Sequence, residues 1–362
     1  MKAYASIENI QLAMKLTNVS KKSTLPILGQ VKITASHDKI EIVGTDFVVT
    51  TRITVPALVE EDGTALMDFS KIKKVIDSGK KKDHVLFTED SVKAGRASAN
   101  IHNRFEIEDF PEIQKIGEET CGVCFPSIPE FARQLGNAIK TTSNDESRRI
   151  LTTVNISHEN GAARLVATDS YRLYVGNSIG MFRGEGVMNI SKSVAEIIMK
   201  AEKSLREVEI SHHYDHDRTI LKLDDKMKCE IISRSVDGNY PNWKQLFADS
   251  YDYSCDIERK TLDDGVKFIK KMAKSTTPVM LDFSNCRISC NEEGSGTYSY
   301  DVEAGSTEDP HDRYVNVAYL AEALASSKEK TITMRTLDSP YKPMVFENPE
   351  GDMMLVMPVR VA

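Results

Sequence analysis

The chain has 362 residues, too many for one ordinary core and suited to two or three domains of roughly 100–200 residues each. With 40% hydrophobic and 28% charged residues, and only 19 Gly and 12 Pro, it is neither collagen-like nor disordered, and a net charge of −7 gives no overall attraction for nucleic acid. No apolar run reaches the roughly 20 residues that cross a bilayer, and Met1-Lys2-Ala3-Tyr4 leads into a mixed segment, so a soluble cytoplasmic protein without a membrane partner is expected.

In chain order, the first helix is predicted from Ser6, with Ile7, Ile10, Ala13 and Met14 at helical spacing. Alternating strands follow at residues 31–34 and 40–46, then a helix from Ser70 (Ile72, Val75, Ile76) and a strand at 85–87. The same order returns with a helix from Ser127, a strand at 163–169, a helix from Ser191 and a strand at 208–210. A third round has a helix from Thr261, a strand at 287–292, a helix from Asn316 and a strand at 331–334. Ser127 with Glu130, and Thr261 with Asp264, have capping-box spacing. The segment 40–46 lies 123 positions before 163–169, and residues 287–292 repeat the strand after a similar interval, with its Thr-Asp end lost. The chain therefore reads as three repeats: residues 1–120, 121–247 and 248–362. Each has two helices packed on antiparallel sheets, an α+β class.

Charge is unevenly distributed. The six helix windows, 92 residues in all, carry 23 Lys and Arg against 9 Asp and Glu, a net +14, and leave −21 for the remaining 270 residues. Lys71 and Lys74, then Lys192, Lys200 and Lys203, then Lys267 and Lys271 belong to three clusters. Helices facing one side would form a basic surface with an acidic back, suited to a polyanion. Lys outnumbers Arg and no aromatic residue is regularly interleaved with it, so the expected contacts are to phosphates, without sequence readout.

Several motifs, in order along the chain, carry a family resemblance. They are Thr24-Leu25-Pro26-Ile27-Leu28-Gly29, Gly44-Thr45-Asp46, Asp109-Phe110-Pro111, Val166-Ala167-Thr168-Asp169-Ser170-Tyr171-Arg172-Leu173, Val236-Asp237-Gly238-Asn239-Tyr240-Pro241-Asn242-Trp243 and Val356-Met357-Pro358-Val359-Arg360. Together they resemble the bacterial sliding clamp, the beta subunit of DNA polymerase III. The resemblance implies a DNA clamp fold of three similar domains and a head-to-tail homodimeric ring around duplex DNA, with twelve helices lining the channel. Twelve helices about 10 Å apart enclose a hole of roughly 27 Å once a helix diameter is removed, wide enough for a hydrated duplex.

The implied function is that of a processivity factor, not an enzyme: it slides without sequence specificity and tethers the replicative polymerase catalytic subunit. A clamp loader and other repair and replication proteins with the clamp motif are further implied partners, and the implied place is the cytoplasm, at the nucleoid. By motif position, Lys22 joins the lysines above as a DNA contact. The partner-peptide pocket would be formed by Leu151, Thr168, Tyr171, Arg172, Leu173, Pro241, Leu246, Tyr319, Met357, Pro358, Val359 and Arg360. The dimer interface would bring Phe105 and Ile107 of one subunit to Ile269 and Met272 of the other. The chain departs from the common pattern at Ser170-Tyr171, where Gly-His is frequent, at Trp243, where Tyr is common, and at Ala362, which extends the C-terminus.

Other chemistry finds little support in the sequence. Cys121 and Cys124 have CxxC spacing, which a redox centre or half a zinc site would use, but they lack a thioredoxin-like context and a nearby second pair. The six cysteines read as reduced thiols, and residues 212–217, rich in His and Asp, read as a polar hairpin loop. No catalytic residue, metal or cofactor is assigned, since no P-loop, G-x-S-x-G, HExxH or dinucleotide fingerprint occurs. A metal- or thiol-dependent enzyme built on the cysteine pair and the His-rich segment is the alternative.

Overall fold

The computed structural model describes residues 1–20, 24–101, 105–113, 116–214, 216–236, 238–274, 277–302 and 309–361. Six α-helices occur among them: α1 (Ile7–Leu16), α2 (Phe69–Asp77), α3 (Ile128–Thr141), α4 (Lys192–Lys200), α5 (Arg259–Met272) and α6 (Val317–Ala325). Each is preceded directly or within a few residues by a short strand: Lys2–Ser6, Gly63–Asp68, Cys121–Cys124, Met188–Ser191, Tyr253–Glu258 and Arg313–Asn316. This strand-helix step occurs twice in each third of the chain, as the repeat predicts.

Four of the helix starts fall where the sequence places them. Ser191 caps α4 by accepting from the Val194 N–H at 3.3 Å, and Asn316 caps α6 by accepting from Ala318 N–H at 2.8 Å. Ser6 stands at the N-cap of α1, and Ser127 accepts the first helical bond of α3 from Phe131 N–H through its carbonyl. Two starts lie earlier. Asp68 is the cap of α2, its carboxylate accepting from Lys71 N–H at 2.9 Å, so Ser70 is already inside the first turn. In α5 the helix begins at Arg259, and the Thr261 hydroxyl donates back to the Glu258 carboxylate. At α2 the acidic side chain ahead of the helix takes the capping role, whereas Glu258 at the N-cap of α5 makes no side-chain cap bond.

The contacts divide the described chain into two compact units. The first comprises residues 1–133, 158–163 and 179–236, and the second 134–157, 164–178 and 237–362. These bounds differ from a division at residues 120 and 247, because strands of the middle repeat join ladders in both units.

In the first unit the long strand Val49–Glu61 joins two antiparallel ladders. Its end pairs with Lys2–Ser6, followed by His84–Thr88, Ser91–Ala94 and the edge strand Ala97–Asn100. Its beginning lies between Lys39–Thr45 and Lys228–Arg234, so the first and middle repeats share a continuous sheet. Pro56 falls between the last residue paired with the middle repeat, Thr54, and the first paired with Lys2–Ser6, Ala57, a position where a missing N–H is tolerated. Glu230 reinforces this junction, accepting from Arg52 at 3.1 Å and from Arg218 at 2.6 Å.

In the second unit Tyr253–Glu258, Thr331–Thr336, Met344–Glu347, Met353–Val356 and Arg172–Val175 pair successively. A separate four-stranded sheet runs Gly296–Asp301, Arg287–Glu292, Pro278–Asp282, Arg313–Asn316. Helix α5 packs on this sheet at Gly265, where a Cβ would lie 2.8 Å from Ile288 Cγ2 and 3.0 Å from Tyr300 Cδ1.

Candidate peptide site and basic helices

The candidate peptide site is built on a turn in the second unit. The strand Ala162–Thr168 ends at Thr168, whose hydroxyl donates to the Arg172 carbonyl at 2.7 Å and accepts from Ser170 N–H at 3.1 Å. Asp169 Oδ1 accepts from the N–H groups of Tyr171 and Arg172, at 2.9 and 3.1 Å. Ser170 takes the left-handed conformation, φ +81°, a geometry that glycine adopts more readily, and its hydroxyl accepts from Arg148 at 2.8 Å. These bonds present Tyr171 outward, 60% exposed, while Leu173 turns into the core.

Arg172 is the hub. Its guanidinium donates to Asp169 Oδ2 at 2.9 Å, to the Lys140 carbonyl at 2.8 Å and to the Glu322 carboxylate on α6. It also lies 4.5 Å from the centre of the Tyr319 ring, which stacks with Tyr171 at 6.5 Å. Burial pushes the Glu322 carboxyl above the usual carboxylate range, against the opposing pull of Arg172.

The floor is apolar. Leu173, Val166, Val175, Trp243, Val345 and Leu355 form one cluster, against which Met357, Tyr240 and Phe247 pack. Met357 N–H donates to the Tyr171 carbonyl at 2.9 Å and Val359 N–H to the Tyr314 carbonyl at 2.7 Å, fixing the C-terminal segment beside the turn. Leu151 is buried, Leu246 and Pro241 are exposed, Pro358 is half-buried and Arg360 is exposed. The structure thus joins Thr168, Tyr171, Arg172, Leu173, Tyr319 and Met357 through direct bonds and packing. Asp169, Glu322 and Arg148, absent from the sequence assignment, hold the turn. Asp169 was legible as part of the Thr-Asp pair, whereas Glu322 and Arg148 come from distant segments and carry no local signal.

The basic helices are amphipathic in the expected sense. In the first unit, α1 contacts both α2 and α4, and Gln11 on α1 donates to the Ile76 carbonyl on α2 at 3.1 Å. Helix α2 buries Phe69, Ile72 and Ile76 and exposes Lys71 and Lys74; α4 buries Val194, Ile197 and Ile198 and exposes Lys200, with Lys203 exposed just beyond it. Lys71, Lys74, Lys200 and Lys203 make no ion pair among the described residues, while Lys192 is half-buried. In the second unit Lys271 is likewise exposed on α5, but Lys267 is neutralised by Asp263 at 2.5 Å. Lys22 lies outside the described residues.

Of the expected interface residues, Ile107 and Met272 are exposed, at 38% and 43%, and Phe105 packs partly against Val43, Leu66 and Phe110. Ile269 is a correction: it is 1% exposed, because it continues the Leu262, Val266 stripe that α5 turns to its own sheet. Cys121 and Cys124 lie three apart on one strand and so point to opposite faces, the arrangement least suited to a shared metal or a disulfide. In the His-rich segment His213 pairs with His216 across neighbouring antiparallel strands and Tyr214 is exposed, while Asp215 lies outside the described residues.

The model of the DNA polymerase III beta subunit N-terminal domain matches residues 5–114. Beta sliding clamps match over almost the whole chain: that of Chlamydia pneumoniae is 24% identical over 97% of this chain and 96% of its own length, and that of Staphylococcus aureus 23% identical over the same shares. The chain is thus similar to bacterial beta sliding clamps along almost its whole length. Its fold agrees. The Bartonella birtlesii sliding clamp bound to griselimycin superposes with a TM-score of 0.86 at 18% identity, covering both chains completely. The Thermotoga maritima DNA polymerase III beta subunit gives 0.85 at 18% identity, again over the full length of both chains.

Proposed function

We propose that this chain is the subunit of a homodimeric ring that encircles duplex DNA, slides along it and tethers a replicative polymerase. The observation that carries this reading is the placement of unpaired lysines on the outer faces of α2, α4 and α5 in a protein of net charge −7. Such a face attracts phosphates without reading bases, and weak nonspecific contact is what sliding requires. A closed ring needs no tight grip: it leaves DNA only at an end or by opening. The tethered polymerase is then held near the primer end at high effective concentration. The ring reading divides the chain into three domains per subunit, six per ring.

Two of the edge strands, Ala97–Asn100 and Gly296–Asp301, support head-to-tail closure, since each offers a row of backbone groups that a strand of another copy can pair with. Ile107 and Met272 supply exposed apolar surface for the same contact. The Tyr171–Arg172 cleft takes a short extended segment of the polymerase, the clamp loader or another partner, with Leu and aromatic side chains seated over Leu173 and Met357.

The test is retention on DNA. After loading, protein on closed circular DNA is expected to persist in high salt and to run off once the circle is linearised, with a solution mass of two chains. Equal loss from both forms, with loading verified by crosslinking, would show electrostatic binding without encirclement and would end this reading.

A further inference from the structure

The turn that organises the Tyr171 cleft occurs a second time, in the first unit. Thr45-Asp46-Phe47-Val48-Val49 stands 123 positions before Thr168-Asp169-Ser170-Tyr171-Arg172, and the same bonds fold both. The Thr45 hydroxyl accepts from Phe47 N–H at 3.1 Å, as Thr168 does from Ser170. Asp46 Oδ1 accepts from the N–H groups of Val48 and Val49 at 3.0 and 2.8 Å, as Asp169 does from Tyr171 and Arg172. Phe47 has φ +72°, beside +81° for Ser170. The next strand end closes each turn in the same way: Arg234 N–H donates to the Val48 carbonyl at 3.2 Å, and Met357, again 123 positions on, donates to Tyr171. Even the apolar support corresponds, with Val43, Phe110 and Ile113 packed together where the other cleft has Val166, Tyr240 and Trp243.

We propose that the first-unit cleft is a second docking site for an extended segment of a partner protein, one that carries apolar anchors next to a single acidic residue. The proposal rests on reading the Tyr171 cleft as a peptide site, and extends it to a surface with its own chemistry. The cleft is shallow, with a volume of about 50 Å³, and lies between the Phe47–Val48 turn, Pro111, Ile113 and Ile232. Phe47 and Val48 are 53% and 54% exposed, so two large apolar side chains stand in water beside an apolar recess. Phe47 does so in a conformation unfavourable for a bulky residue.

Charge selects the occupant. Arg234 on one lip is exposed and its guanidinium makes no ion pair among the described residues, while Glu112 lies on the cleft as well. One carboxylate near Arg234 is therefore favoured and a second is not. The third repeat has Asn291-Glu292 where the others have Thr-Asp, and its strand continues into the pairing with Gly296–Asp301, so this turn occurs twice among the described residues.

The test uses the full-length protein and a fluorophore-labelled, terminally blocked pentapeptide of sequence DLALF. Native mass spectrometry and anisotropy are expected to count two peptides per chain, with Kd values on the order of 100 µM for so small a ligand. Val48→Asp removes one equivalent and leaves the second; Tyr171→Ala removes the other. Arg234→Glu weakens the first-unit site at least tenfold for DLALF and restores binding to KLALF, a charge swap that a folding defect cannot produce. One equivalent that is lost in Tyr171→Ala and kept in Val48→Asp would overturn this proposal while leaving the Tyr171 reading intact. One equivalent lost only in Val48→Asp would uphold it and overturn the other. No binding of the peptide up to 1 mM would overturn both, and a change in solution mass in Val48→Asp with unchanged peptide count would assign the cleft to a second copy of the chain.

Discussion

Arg172 unites three elements through one planar group: its own turn, the end of α3 and helix α6, which it meets at both Glu322 and the Tyr319 ring. A guanidinium can do this because its donors diverge in a plane, so lysine is no substitute. Arg172→Ala leaves the Asp169 and Glu322 carboxylates facing each other without their counter-ion, and unfolding is expected to become easier by about 2–4 kcal/mol. Urea melts check this; a loss within error would mean that solvent replaces the guanidinium. Arg172→Lys should recover only a small part of it. The sequence made Thr168, Arg172 and Leu173 visible because they sit in one motif, but the partner carboxylate of Glu322 lies 150 residues away on a helix whose spacing speaks only of its apolar face. The buried Ile269 shows the converse: the sequence marks it as apolar on α5, and a surface role for it required knowing which way the stripe turns.

Among the elements, helices were the most legible, since apolar spacing and caps are local properties. The early start of α2 shows how a neighbouring carboxylate alters a boundary without altering the helix. Pairing of strands was not legible in the same way. That residues 49–61 form a single strand serving two ladders follows from contacts with segments far along the chain. Helix α5 carries an instructive exception to propensity. In an ordinary helix interior Gly→Ala is stabilising by up to about 1 kcal/mol. At Gly265 the added methyl would meet Ile288 and Tyr300 at 2.8 and 3.0 Å, so Gly265→Ala is expected to destabilise the protein by about 1–3 kcal/mol instead. A thermal melt decides the sign, and a stabilised variant would show that α5 can shift away from its sheet at little cost.

At the scale of the whole molecule, the division of charge was readable from the sequence, since it needs only helix positions and a count. Its effect is measurable as salt dependence. If Lys71, Lys74 and Lys200 each release a counter-ion on contact, replacing all three by Ala should flatten the dependence of log K on log salt by about 2–3. An unchanged slope would place these lysines away from DNA. The compact units were not readable, because repetition marks descent along the chain and cohesion marks which surfaces meet. The strand Val49–Glu61 makes that distinction mechanical. Force applied along its length would load the ladders on both sides in shear, with Glu230 clamped to Arg52 and Arg218 across the join, so many bonds must fail at once. The junction of the first two repeats is thus a weld.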